Sequence, residues 1–174
     1  MFSPVRDRSG GFTLIELLIV VAIIGLLAAM LIPNMMDALQ KSKQKKTMAD
    51  QRLAGIGMMS WLTDQASAAA AGQAVDNTFE VGDYPEISYA AVSAVLLPVY
   101  LQQLPQRDGW KKDYEYYLDT SASGRHVMAI RSAGLGGNFD GDTYVPGAFE
   151  PTDYANDLVW ADGFFVRWPQ KIAT

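Results

Sequence analysis

The chain has 174 residues, no cysteine, a single histidine and a net charge of -5. Disulfides, thiolate metal sites, covalent haem attachment, cysteine nucleophiles and histidine-based zinc centres are excluded, and the acidic balance argues against a nucleic-acid partner. Once the N-terminal segments are set aside, enough chain remains for one modest soluble part with a single core.

The first landmark along the chain is Gly11-Phe12-Thr13-Leu14-Ile15-Glu16, which leads into an apolar stretch ending at Ile32, just before Pro33. As a helix, residues 12–32 would extend roughly 31 Å, matching a bilayer's hydrocarbon core of roughly 30 Å. That apolar run is too long for a cleaved secretory signal and lacks an A-x-A site close behind it. Glu16 is the anomaly, because a carboxylate near a bilayer centre costs on the order of 3 kcal/mol. It therefore needs a partner. A cut between Gly11 and Phe12 would release an amine four residues before Glu16, on the same chain or in a neighbouring copy. Glu16 then reads as a device that sets register between assembling subunits.

The Gly11 to Glu16 junction resembles the class III leader signature of type IV pilins and type II secretion pseudopilins. The resemblance implies cleavage after Gly11 by a prepilin peptidase, N-methylation of Phe12, and docking of Glu16 on the N-terminus of a neighbouring subunit. Pro33 falls where members of that family carry a helix-loosening proline.

Beyond Pro33, residues 34–65 hold no proline and are rich in Met, Ala, Leu, Lys and Gln, which predicts that the helix continues, with a bend or local melting at Pro33. Residues 40–47 are polar all round, whereas Leu53, Ala54, Ile56, Met58, Trp61 and Leu62 form an apolar face that should carry the core. Lys41, Lys43, Lys45 and Lys46 follow the apolar stretch. By the positive-inside rule alone they would place the C-terminal part in the cytoplasm, whereas the resemblance places it in the periplasm. Residues 66–74 read as a fraying helix end with Gly72 as a stop, and 75–85 as an exposed connection. A short helix is expected over 88–103, interrupted near Pro98. Strands are expected at 114–119, 125–131, 158–161 and 164–168, with hairpin turns at 121–124 and at Asp162-Gly163. His126 lies in the second of these runs and reads as a sheet residue. The fold class is α+β: a long N-terminal helix packed on a small antiparallel sheet, with the type IV pilin-like fold implied by the resemblance. Its parts are a leader (1–11), a transmembrane and assembly half of the helix (12–33), the second half of the helix (34–72) and an α+β globular part (73–174).

Tyr84-Pro85, Leu97-Pro98, Tyr100-Leu101, Leu104-Pro105, Asp108, Trp110, Tyr114 and Tyr116 follow the spacing of major pseudopilins, although Gly109 stands where that family usually has proline and Lys111-Lys112-Asp113 replaces its usual turn. Between the second and third strands, Asp140, Asp142, Asp153 and Asp157 lie among glycines, an oxygen-rich composition suited to calcium rather than magnesium. The loop is not an EF-hand, because Thr143 and Phe149 occupy the positions that need glycine and glutamate. Ser132-Ala133-Gly134 and Asn156-Asp157-Leu158-Val159 resemble the two ends of the major pseudopilin calcium loop. Asp157 matches best, Gly136 replaces the usual first aspartate, and an insertion lies around residues 144–151. The resemblance implies a calcium ion held by Asp157, with Asp140 or Asp142 taking over from the missing first aspartate, and Asp153 completes the loop's candidate ligands.

No nucleophile motif, paired base, phosphate-cradling loop or histidine cluster is present, so an enzyme is not expected. The resemblance implies a structural subunit, in the inner membrane by a single pass, that polymerises into a periplasmic helical filament driving protein export by type II secretion. Its implied partners are further copies of itself, minor pseudopilins, an inner-membrane platform protein with its ATPase, the prepilin peptidase and membrane lipid. The alternative is a type IV pilus subunit serving adhesion, motility or DNA uptake. The missing cysteine pair and the calcium-type loop favour the first.

Overall fold

The computed structural model describes residues 11–65, 79–119 and 127–171. The leader ahead of Gly11, the expected helix end at 66–74, the turn at 121–124 and His126 lie outside the described residues. The chain divides into two compact units, Met1–Ala38 and Leu39–Thr174.

In the first unit the chain is helical from Leu14, the start of α1 (Leu14–Gln65). Its large apolar side chains are solvent-exposed: Leu14, Ile15, Leu18, Ile24, Leu26 and Leu31 each present more than half of their surface. A soluble monomer does not keep such a surface, and the helix is long and apolar enough to cross a membrane. The local melting expected at Pro33 does not appear. Helix continues through it, although the imide nitrogen has no proton to give the carbonyl of Ala29.

In the second unit the remainder of α1 lies on a sheet. β2 (Glu86–Ile87), β3 (Glu115–Leu118), β4 (Met128–Ser132), β6 (Gly147–Phe149), β7 (Leu158–Ala161) and β8 (Phe164–Pro169) form six strands in the order β2-β3-β4-β7-β8-β6. All neighbours are antiparallel except β6 and β8, which run parallel. A separate pair joins β1 (Phe79–Glu80) to β5 (Thr143–Tyr144). The helix expected over 88–103 is shorter: α2 (Tyr89–Leu96) starts on Ser88, whose hydroxyl accepts from Ala91 N, and ends at Leu97, because a residue before proline is steered out of helical geometry. The β7–β8 turn forms as expected, with positive φ at both Asp162 (45°) and Gly163 (102°), as a two-residue hairpin of the primed kind requires.

Both faces of the sheet are buried. Alternation along the strands sends Tyr116, Leu118, Met128, Ile130 and Trp160 toward Ala54, Met58 and Trp61 of α1 and Val92 and Leu96 of α2. The opposite side chains, Tyr117, Ala129, Val159, Ala161 and Val166, pack with Val81, Tyr84 and Tyr144 in a second core. α1 approaches the first face closely: a Cβ on Gly55 would lie 2.5 Å from the Trp160 ring. One buried polar side chain bridges helix and sheet, with Gln51 Nε2 donating to the Leu158 carbonyl at 2.8 Å.

Candidate functional site

At the processing junction Thr13 is the residue that precedes α1, and Glu16 is in the helix's first turn. Glu16 Oε2 accepts from the Thr13 backbone N–H (2.9 Å) and from the Thr13 hydroxyl (2.7 Å), while the Glu16 N–H donates to Thr13 Oγ1 at 3.3 Å. This is a reciprocal capping box, in which each side chain satisfies a donor that the helix start leaves free. The carboxylate thus has two local donors within the uncut chain, both supplied by Thr13. Sequence reasoning concentrated on the amine and passed over Thr13, although the Thr-x-x-Glu spacing carries the signal.

The turn after Pro105 ties three elements together. Asp108, 3% exposed, accepts through Oδ1 from the N–H groups of Trp110 (2.8 Å) and Lys112 (2.9 Å) and through Oδ2 from the Ser132 hydroxyl on β4 (2.7 Å). Gly109 N donates to Thr47 Oγ1 at 2.9 Å, and Trp110 Nε1 donates to Gln40 Oε1 at 2.7 Å, so the turn is fastened to α1 at two levels. A Cβ on Gly109 would lie 2.3 Å from the Lys43 carbonyl oxygen, which explains a glycine there. Lys111, at φ 68°, takes the left-handed conformation that closes the turn.

The acidic loop lies over the second core, and its four predicted calcium ligands do not converge. Asp157 is buried: its Oδ2 accepts from the Tyr144 hydroxyl (2.6 Å) and the Asp140 N–H (2.8 Å), and its Oδ1 has no hydrogen-bond partner. Burial pushes the Asp157 carboxyl above its usual range against the pull of those two bonds. Asp140 and Asp153 have exposed side chains. Asp142 is turned to Arg131, with Nη1 donating to Oδ1 at 2.9 Å. Among the described residues no group of three or more Asp, Glu or His side chains is placed to hold a metal. Calcium requires six to eight oxygens gathered about one point, whereas two of these carboxylates are exposed, one is held by Arg131, and Asp157 presents a single buried oxygen without a partner. The predicted set of Asp140, Asp142, Asp153 and Asp157 therefore does not fit the ion. Arg131 has already taken one of the four, the Asp142 carboxylate.

An apolar N-terminal helix with one capped carboxylate at its start, and an α+β part packed on the continuation of that helix, define a protein of the type IV pilin-like fold. Residues 6–32 match the family model of the prokaryotic N-terminal methylation motif. The chain is 30% identical over 116 residues, 63% of this chain and 74% of the relative, to a type II secretion system core protein G of Klebsiella pneumoniae. It is 27% identical over 108 residues, 62% of this chain and 71% of the relative, to the core protein G of Escherichia coli strain K12. A type IV major pilin protein PilA of Myxococcus xanthus is 57% identical over 44 residues, 25% of this chain and 20% of the pilin. No solved structure matches. The chain belongs to the type II secretion system core protein G family, the major pseudopilins.

Proposed function

We propose that this chain is the structural subunit of a periplasmic pseudopilus whose growth drives protein export by type II secretion. The observation that carries this reading is the extent of the similarity. The core protein G matches run over 108 and 116 residues, more than twice the 52 of α1, so they engage the globular part as well as the helix. The pilin match covers 44 residues, a length that α1 alone accommodates.

The chain enters the inner membrane as a single-pass precursor, is cut after Gly11 by the prepilin peptidase, is methylated on Phe12 and polymerises with further copies. Minor pseudopilins, a platform protein and an ATPase complete the machine. Its work is mechanical, and its chemistry is confined to processing. The exposed apolar face of residues 14–32 is what a bilayer first covers and neighbouring subunits then replace. The globular part faces the periplasm despite the four lysines that follow the apolar stretch, because large domains are translocated largely regardless of flanking charge.

The deciding experiment compares the culture-fluid proteome and the surface filaments of a strain lacking this gene with its parent. Loss of exported proteins with pili unchanged is the expected result. Loss of pili with normal export would make the chain a pilus subunit instead.

A further inference from the structure

We infer that the Arg131 guanidinium is a built-in cation that fastens the acidic loop over the second core, so that this chain does without the calcium ion that its family resemblance implies.

Arg131 sits near the end of β4, opposite Val159 of β7, on the sheet face that carries the second core. It is 8% exposed, an unusual burial for a charge unless partners surround it. They do. Nε donates to Glu115 Oε2 on β3 at 2.6 Å, and Nη1 donates to the Gly141 carbonyl at 3.1 Å and to Asp142 Oδ1 at 2.9 Å. The Tyr144 hydroxyl lies at 3.5 Å from Nη1. The Phe139 ring covers the guanidinium, 3.9 Å from its centroid to Cζ, the stacking for which a planar delocalised cation is suited. Phe139, Gly141, Asp142 and Tyr144 are thus four contacts drawn from six consecutive loop residues. Tyr144 hands the connection on to Asp157 at the far end of the loop, where its hydroxyl donates to Oδ2. Arg131 therefore reaches both ends of the loop, directly at one and through Tyr144 at the other.

The chemistry of this centre is what a bound dication otherwise provides: carboxylates of separate elements, a backbone carbonyl and a tyrosine oxygen gathered round one positive charge. Its geometry is that of N–H donors, not of an ion. Each oxygen is turned to a guanidinium nitrogen at 2.6–3.5 Å rather than to a common point at calcium distances of about 2.3–2.6 Å. A dication added here would also face the fixed guanidinium charge.

The test uses the full chain extracted from membranes in detergent, with thermal melts and limited proteolysis of residues 135–157 in calcium or in excess chelator. The wild-type melts are expected to coincide, and the loop to resist protease equally in both. A wild-type Tm that falls on chelation, or a loop cleaved only in chelator, would overturn the inference. Arg131→Met is expected to lower Tm by about 5 °C or more and to open the loop to protease. Protease resistance as in wild type would likewise sink it. Should Arg131→Met fail to accumulate, Arg131→Lys, which keeps the charge but loses the fork, is expected to show intermediate cleavage of the loop; wild-type resistance there would also overturn it.

Discussion

Thr13 and Glu16 act as a pair before any neighbour is present. The capping box gives the carboxylate two donors and holds Glu16 in a defined position at the start of α1. Glu16→Ala should leave membrane insertion intact and block assembly, read as a normal membrane fraction with no sheared filaments. Thr13→Val removes the hydroxyl but keeps the backbone donor. It should cost the helix start about 1 kcal/mol and lower filament yield less than Glu16→Ala does. Yields in the reverse order would show that the hydroxyl, not the carboxylate, sets docking. Gly109 offers a separate residue-level test. Its Cβ would meet the Lys43 carbonyl oxygen at 2.3 Å, so Gly109→Ala should destabilise the chain by about 1–3 kcal/mol in thermal melts, whereas Gly82→Ala, which meets nothing within 4 Å, should stay within about 0.5 kcal/mol of wild type.

Two glycines of α1, on either side of Ile56, show how the helix is fitted to its surroundings. Gly55 would place a Cβ 2.5 Å from the Trp160 ring and Gly57 one 2.5 Å from the Leu101 side chain. Alanine gains about 1 kcal/mol of helix propensity at either site. Both neighbours are core side chains that must shift to make room, the leucine from its Cγ outward and the indole as a rigid ring. Gly55→Ala and Gly57→Ala should therefore both lower the melting temperature, Gly55→Ala with a shift in tryptophan emission; a wild-type melting temperature for Gly55→Ala would refute the close fit at Trp160. Elements with strong local signals were legible in the sequence: the apolar run of α1, the β7–β8 hairpin with its Asp162-Gly163 turn, and the Ser88 start of α2. The strands of two or three residues at Phe79, Glu86, Thr143 and Gly147 were not, because such lengths show no periodicity and their pairing is decided by distant segments. Arg131 was read as the last residue of a strand. Its role depends on Glu115, 16 residues earlier, and on a loop whose path the sequence does not state. Asp108 was singled out by its spacing, but its bond to Ser132 escaped for the same reason, since it spans 24 residues.

At the scale of the whole chain, the two units make opposite demands on their surroundings. The described helix of the first keeps its apolar side chains outside, and the second buries two apolar faces of one sheet. Alkaline carbonate should therefore leave the full chain in the membrane pellet, and its release to the supernatant would contradict the membrane-anchored reading. The second unit also holds α1 by an unusual means. Gln40, Thr47 and Gln51 each make a side-chain bond to the rest of that unit, to Trp110, Gly109 and Leu158 respectively. At 1.5 Å per residue these fastenings stand about 10 Å and 6 Å apart along the helix. A load applied along the helix axis while the rest of the unit is dragged back is shared among these directional links, and that of the Tyr114 hydroxyl to Asp50, as well as a slippery apolar contact. Polar rivets of this kind resist sliding, which dispersion forces alone resist poorly, and their rupture in succession would make the subunit yield stepwise under tension.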